Sequence, residues 1–223
     1  MKKWVCGLAV FWLVLSFFSF NLAYATAINL ATGLDASNNL ITTGGTSDAH
    51  WTVYGASTVP DGSAAQVLAP GSNNWFGGWL ANGPNSAWIG ATANYTGNGP
   101  AGYYFQRTFD LSGYNLSSVS ISGSWTIDDQ GTLSLNNNTI ASLASGNWGS
   151  FSSFSIPAGS PYFNSGLNTL KITMTWTDNY LEGVRLEGTV AGSLAAVPEP
   201  CTMLLLGPGL AGLAGFARRR FRK

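Results

Sequence analysis

Charge is what this sequence has least of: of its 223 residues only 9% are Asp, Glu, Lys or Arg, against about 25% in an ordinary soluble domain. Histidine and cysteine are scarcer still, with one His50 and two cysteines, Cys6 and Cys201, both near the ends. Residues 28–197 therefore contain no thiol, which excludes a cysteine nucleophile, a disulfide framework and a His/Cys zinc site from the body of the chain. Long apolar runs are missing too. The two that exist, Leu8–Phe20 with 13 residues and Thr202–Ala217 with 16, fall short of the ~20 that a membrane-crossing helix needs, so a polytopic membrane protein is excluded. Cations are absent from most of the chain: between positions 28 and 197 only Arg107, Lys171 and Arg185 face nine carboxylates. Nucleic acid is not a partner of such a surface, because phosphate binding needs clustered Lys or Arg.

The remaining cations sit at the ends, where they read as addresses. Lys2 and Lys3 precede the apolar run Leu8–Phe20, and Ala23-Tyr24-Ala25 or Ala25-Thr26-Ala27 supplies a small-x-small cleavage site. Residues 1–27 are thus a secretory signal helix, cut after Ala25 or Ala27, with the export translocon and signal peptidase as partners. At the other end Pro198-Glu199-Pro200 is followed by the Gly-rich apolar segment and by Arg218, Arg219, Arg220, Arg222 and Lys223. That basic end places the terminus in the cytoplasm and the body of the chain outside.

Pro-Glu-Pro, a short apolar helix and a terminal Arg cluster, in that order, resemble the PEP-CTERM sorting tail. The resemblance implies a Gram-negative host, an exosortase as partner, transient anchoring by the C-terminal helix, and delivery to the cell surface or beyond. Cys201 stands where such tails usually carry Ser or Ala.

Between the addresses the pattern is period two. Tyr103, Phe105 and Phe109 alternate with Tyr104, Gln106 and Thr108; Val119, Ile121, Trp125 and Ile127 with Ser120, Ser122, Ser124 and Thr126; Leu170, Ile172, Met174 and Trp176 with Lys171, Thr173 and Thr175; Val184, Leu186 and Val190 with Arg185, Glu187 and Thr189. These are half-buried antiparallel strands, and the frequent Gly, Asn, Ser and Pro breaks predict a β-sandwich. Asn, Ser and Thr make up a third of residues 28–197, so neutral amides and hydroxyls cover the faces that charges usually cover. The expected organisation is all-β: one sandwich domain at 28–190, a small-residue tether at 191–197, and the tail at 198–223.

The order of Tyr104-Phe105-Gln106-Arg107-Thr108-Phe109, Leu135-Asn136-Asn137 and Gly166-Leu167-Asn168-Thr169-Leu170 resembles the galactose-binding-like jelly roll found beside β-galactosidase catalytic domains. Asn137 replaces the usual Gly of the "LNG" turn, and Asn tolerates the positive φ required there. Thr32–Ile89 is similar to the segment preceding this domain in many secreted PEP-CTERM proteins, a group without an assigned activity. The resemblance implies a single jelly roll and, as the one cofactor, a structural Ca²⁺; Asp35 and Asp48, in loop-like sequence rich in oxygen ligands, are its candidate ligands.

Trp75, Trp79 and Trp88 lie in Gly/Asn/Pro-rich sequence without alternation and mark the expected sugar-stacking edge. The alternative is that their indoles clamp a long loop onto the sandwich. Trp125 and Trp176 alternate with other apolar residues and belong to the expected core. Asp128 and Asp129, if on one strand, point to opposite faces and cannot flank one glycosidic bond; either is the expected partner of Arg107. His50 has no visible catalytic companions. No nucleophile and base come together, so catalytic residues are not expected. The chain reads as an exported, non-enzymatic surface or matrix protein that binds exopolysaccharide, with a purely structural matrix component as the alternative and a secreted hydrolase behind both.

Overall fold

In a computed structural model the described residues are 27–68, 78–93, 101–178 and 182–195, together with 207–212, 214, 216 and 218 of the tail. Eleven strands are formed: β1 (Ile28–Asn29), β2 (Ser47–Tyr54), β3 (Ser63–Val67), β4 (Ile89–Gly90), β5 (Tyr104–Asp110), β6 (Ser120–Asp128), β7 (Gln130–Leu135), β8 (Asn138–Leu143), β9 (Ser152–Ile156), β10 (Leu167–Trp176) and β11 (Gly183–Ala191). Every pairing is antiparallel, along the path β8-β7-β10-β5-β2-β3-β4-β11-β6-β9, with β1 added to β11. The path folds over at the short β3–β4 ladder, where only Gln66↔Gly90 and Val67↔Ile89 pair. Its two halves turn their apolar faces onto one shared core, which makes a jelly-roll-like sandwich.

The alternation seen in the sequence is the reason. Val53, Phe105, Leu133, Leu170, Ile172 and Met174 come from one half; Ile121, Trp125, Ile127, Phe154, Leu186 and Val190 come from the other, and all are buried. Each such side chain contributes roughly 1.5–3 kcal/mol on leaving water, enough to hold the layers together without a disulfide. The Leu135-Asn136-Asn137 turn forms as expected, with both asparagines at positive φ, +49° and +66°.

Two expectations are corrected. Trp176 is not core: it is 46% exposed, because the β10–β7 register shifts between Met174 and Trp176 and the bulge rotates the indole out of the alternation. The tether does not begin at 191 either. β11 runs through Ala191, the Ser193 amide N–H donates to Ser118 Oγ at 2.9 Å, and the Ala195 N–H donates to Gly113 O at 2.7 Å. Backbone bonds pin this stretch to the β5–β6 connection, a contact that small side chains leave no pattern for.

Candidate functional site

The outward face of the β7-β10-β5-β2 layer carries the polar half of each alternation. Register aligns Tyr54, Tyr104, Thr173 and Thr132 in one row across four strands, and Thr52, Gln106 and Lys171 in the next. One end of this face is walled by two turns that hold each other. The Asn136 side chain donates to Asn168 Oδ1 at 2.8 Å and accepts from the Thr169 N–H at 2.9 Å. Asn168, fully buried, donates to Asn164 O and Gly166 O and accepts from the Asn164 N–H. Two of the three motifs carrying the jelly-roll resemblance therefore build one wall.

Against that wall lies a hollow of about 440 Å³, lined by Tyr104, Gln106, Asn136, Asn137, Asn164, Thr169 and Lys171. The Tyr104 ring stands between two neighbours, with Tyr54 stacked at 5.2 Å and 13° and the Lys171 ammonium 5.0 Å above its centroid. Lys171 Nζ also reaches Asn137 Oδ1 at 3.4 Å. The hollow thus presents amides, a hydroxyl and one ammonium, with no carboxylate. A second hollow of about 410 Å³ lies against β1 and β11, and its one charged group, Glu187, already accepts from Ser86 Oγ at 2.9 Å and pairs with Arg185 at 3.3 Å.

The expected stacking edge is placed elsewhere. Trp88 is fully buried and Trp79 is 7% exposed. Their rings pack at 4.2 Å with Leu68, Leu80 and Trp148 around them, and the stretch that carries them lies over the outer side of β11 and β6. Trp79 Nε1 donates to Asp128 Oδ2 at 2.6 Å, and Trp88 Nε1 to Leu80 O at 2.7 Å. Beneath them Arg185, 2% exposed, donates to Ser86 Oγ at 2.7 Å and to Ala81 O, and its guanidinium sits 4.8 Å over Phe151. Burial lowers the Arg185 pKa, opposed by Glu187. Gly183 leaves the room this strap needs, since a Cβ there would meet Leu68 at 2.8 Å and Trp79 at 3.1 Å. Trp79 and Trp88 are clamps. Trp75 lies outside the described residues.

Asp128 and Asp129 do not diverge. They occupy the corner between β6 and β7, where strand alternation ends, and share a side-chain hydrogen bond. Both are 5% exposed. Burial, then the bond to Asp129, raises the Asp128 pKa to about 8, against the lowering effect of the Trp79 N–H. Nearby, Tyr103 donates to Glu182 Oε2 at 3.0 Å, and burial followed by the Glu182 charge raises the phenol. Asp128 keeps its proton in the folded state while an unfolded Asp releases it near pH 3.8. The Asp128 contribution to stability should therefore be full below about pH 4, fall as pH rises, and be lost above about pH 8. Urea midpoints at pH 5 and pH 8 check this, and Asp128→Asn should flatten the profile; an unchanged slope in that variant would assign it to other groups.

Neither carboxylate pairs with Arg107. Arg107, on β5, lies four residues beyond Tyr103, about 13 Å along the extended chain, and Tyr103, just before β5, is the residue whose phenol Asp128 and Asp129 help to raise. Its opposing charge is Asp48 on the adjacent strand β2, and its Nη1 donates to Ala31 O at 3.3 Å. Burial lowers the Arg107 pKa to about 10, with Asp48 opposing. Asp48 accepts N–H groups from Gly33 (2.6 Å), Leu34 (3.4 Å), His50 (2.7 Å) and Trp51 (3.0 Å), while burial raises its pKa. Asp35 closes its own turn with the N–H groups of Ser37 and Asn39, both at 2.8 Å, and bonds from Asn39 lower its pKa. Asp35 and Asp48, the residues named for Ca²⁺, both accept backbone N–H groups in this structure. Among the described residues no group of three or more His, Cys, Asp or Glu is placed to hold a metal. His50 Nε2 contacts Asp35 O at 3.0 Å, a structural role.

The sheet-face hollow went unread in the sequence because its members are the polar partners of ordinary strands and two turns. The signal available was that Lys171 is the one cation in a long run of uncharged alternation.

At the ends, Ala27 is exposed and Ala25 lies outside the described residues, as do Pro198, Glu199, Pro200, Arg219, Arg220, Arg222 and Lys223; Arg218 lies at the end of a helical stretch. Among the described residues no helix is long and apolar enough to cross a membrane. The family comparison decides this end of the chain. Residues 196–223 match the PEP-CTERM protein-sorting motif. The PEP-CTERM match spans the Pro-Glu-Pro, the apolar segment and the basic terminus together, and marks the chain for export and sorting. No curated protein matches the chain. Solved structures of similar fold include a family 35 carbohydrate binding module from Clostridium thermocellum (12% identity, 74% of this chain and 98% of that one, TM-score 0.37). A CBM35 from Cellvibrio japonicus (14%, 78% and 99%, 0.39) and a cyclase from Fischerella sp. TAU (13%, 76% and 100%, 0.40) are similar to the same degree. What the sandwich does must be argued from its own face.

Proposed function

We propose that this PEP-CTERM protein is a non-enzymatic surface or matrix protein, processed by an exosortase, whose sandwich binds extracellular polysaccharide on the polar sheet face. The observation that carries the reading is the 440 Å³ hollow in which Gln106, Asn137, Asn164 and Thr169 present amides and a hydroxyl beside the Tyr104 ring. Sugar hydroxyls both donate and accept, and neutral amides match that chemistry in either sense. Turns locked by Asn136 and Asn168 hold these groups in place before any ligand arrives, which lowers the ordering cost of binding.

Affinity electrophoresis of the purified protein through gels containing neutral and acidic polysaccharides tests the reading. Gln106→Ala combined with Asn137→Gly, a pair that keeps the positive-φ turn, removes two hydrogen-bonding groups. With each bond contributing about 1 kcal/mol, retardation should weaken ~10-fold or more while the unfolding midpoint stays put. Retardation unchanged in the double variant would move the ligand off this face, and no retardation of the native protein by any polymer would leave the structural role.

A further inference from the structure

We infer that the ligand of this face is an acidic glycan, with Lys171 receiving its anionic substituent. This rests on the glycan-binding reading above and names the substrate class.

The domain has three cations to distribute, and two are hidden: Arg107 is 5% exposed and Arg185 2%. Both are engaged inside the fold, Arg107 opposite Asp48 and Arg185 with Glu187. Lys171 is the cation left at the surface of a chain region carrying nine carboxylates. Four of those carboxylates, Asp48, Asp128, Asp129 and Glu182, are buried. Among the described residues Lys171 is in no ion pair, and the residues sharing its hollow are all neutral.

Its position is also held. The ammonium rests 5.0 Å over Tyr104, itself backed by Tyr54, and touches the Asn137 amide oxygen. An ammonium has three donors; the Asn137 contact uses one, at a long 3.4 Å. A carboxylate or sulfate entering the hollow meets a positioned cation, with Gln106 one strand away at the paired register Lys171↔Gln106. The other charges that the described part of the sandwich leaves at its surface, Asp35, Asp61, Asp110, Asp178 and Glu187, are carboxylates, so within it attraction for an anion is centred on Lys171 and selects chains that can place a charge there.

The test uses polygalacturonate, the same polymer after reduction of its carboxyl groups, and dextran sulfate beside dextran, each in affinity gels at low and high salt. Native protein should be retarded at least tenfold more by polygalacturonate than by its reduced form, with the difference shrinking as salt rises. Lys171→Gln should lose that preference and Lys171→Arg should keep it. Retardation by dextran sulfate but not polygalacturonate, with the same Lys171 dependence, assigns the anion as a sulfate ester. Equal retardation by charged and neutral polymers, or a Lys171→Gln variant that still prefers the acidic one, overturns the inference and leaves the glycan reading standing. Retardation by none of them defeats the glycan reading itself.

Discussion

Trp88→Ala is expected to cost about 3–5 kcal/mol, the range for emptying a buried aromatic site. Trp88 is fully enclosed, its ring packs on Trp79 at 4.2 Å, and its N–H is spent on Leu80 O. Removing it undoes the cluster that seals the strap over β11 and β6, so Arg185 would lose its cover as well as its partners in that strap, Ser86 and Ala81. Trp79→Ala should be nearly as damaging because it also releases Asp128. Trp176→Ala, at an indole nearly half exposed, should fall within about 1 kcal/mol of the native protein. Chemical denaturation of the three variants separates the roles. A Trp88→Ala protein with a native midpoint would show that the strap is not fastened by its indoles.

Asp48→Ala should be equally severe, at about 4 kcal/mol or more. Four backbone N–H groups lose their acceptor, and each such buried group left unmade costs roughly 1–3 kcal/mol, reduced where water can enter. Arg107 would also be left as a buried charge without its opposing carboxylate. Asp48→Asn keeps one accepting oxygen but removes the charge and turns an NH2 donor toward two of the four N–H groups, so it should fall between. Adding Arg107→Met to Asp48→Asn should recover part of that loss, because no uncompensated charge then remains. Denaturation midpoints of the single and double variants decide the matter, and additive losses would show that Asp48 and Arg107 act independently.

Both results concern residues whose burial the sequence does not announce. Trp79 and Trp88 sit among Gly, Asn and Pro, where alternation is absent, and their segment looks like a loop free to carry a ligand edge. What buries them is a surface made by Leu68, Trp148 and the outer side of β11 and β6, contributed by segments far apart in the chain. Asp128 and Asp129 were misplaced for a similar reason: the rule that neighbours diverge holds within a strand, and they stand where one strand ends and another begins.

The strands, the lack of thiols in residues 28–197, the polar covering and the sorting tail are all legible in the sequence. Each of these is written in local order: period-two alternation makes an amphipathic strand wherever it lies, and a Pro-Glu-Pro, an apolar segment and a basic end are contiguous. Only the tertiary fold decides which polar residues line the hollow. Tyr54, Tyr104, Asn137 and Lys171 come from β2, β5, the β7–β8 turn and β10, and only strand register sets them side by side. The same register, through a shift at Met174/Trp176, turned one patterned tryptophan outward. Hydrogen bonding between distant strands sets that register, and side-chain alternation along a single strand is the same in any of the registers that keep its apolar face inward.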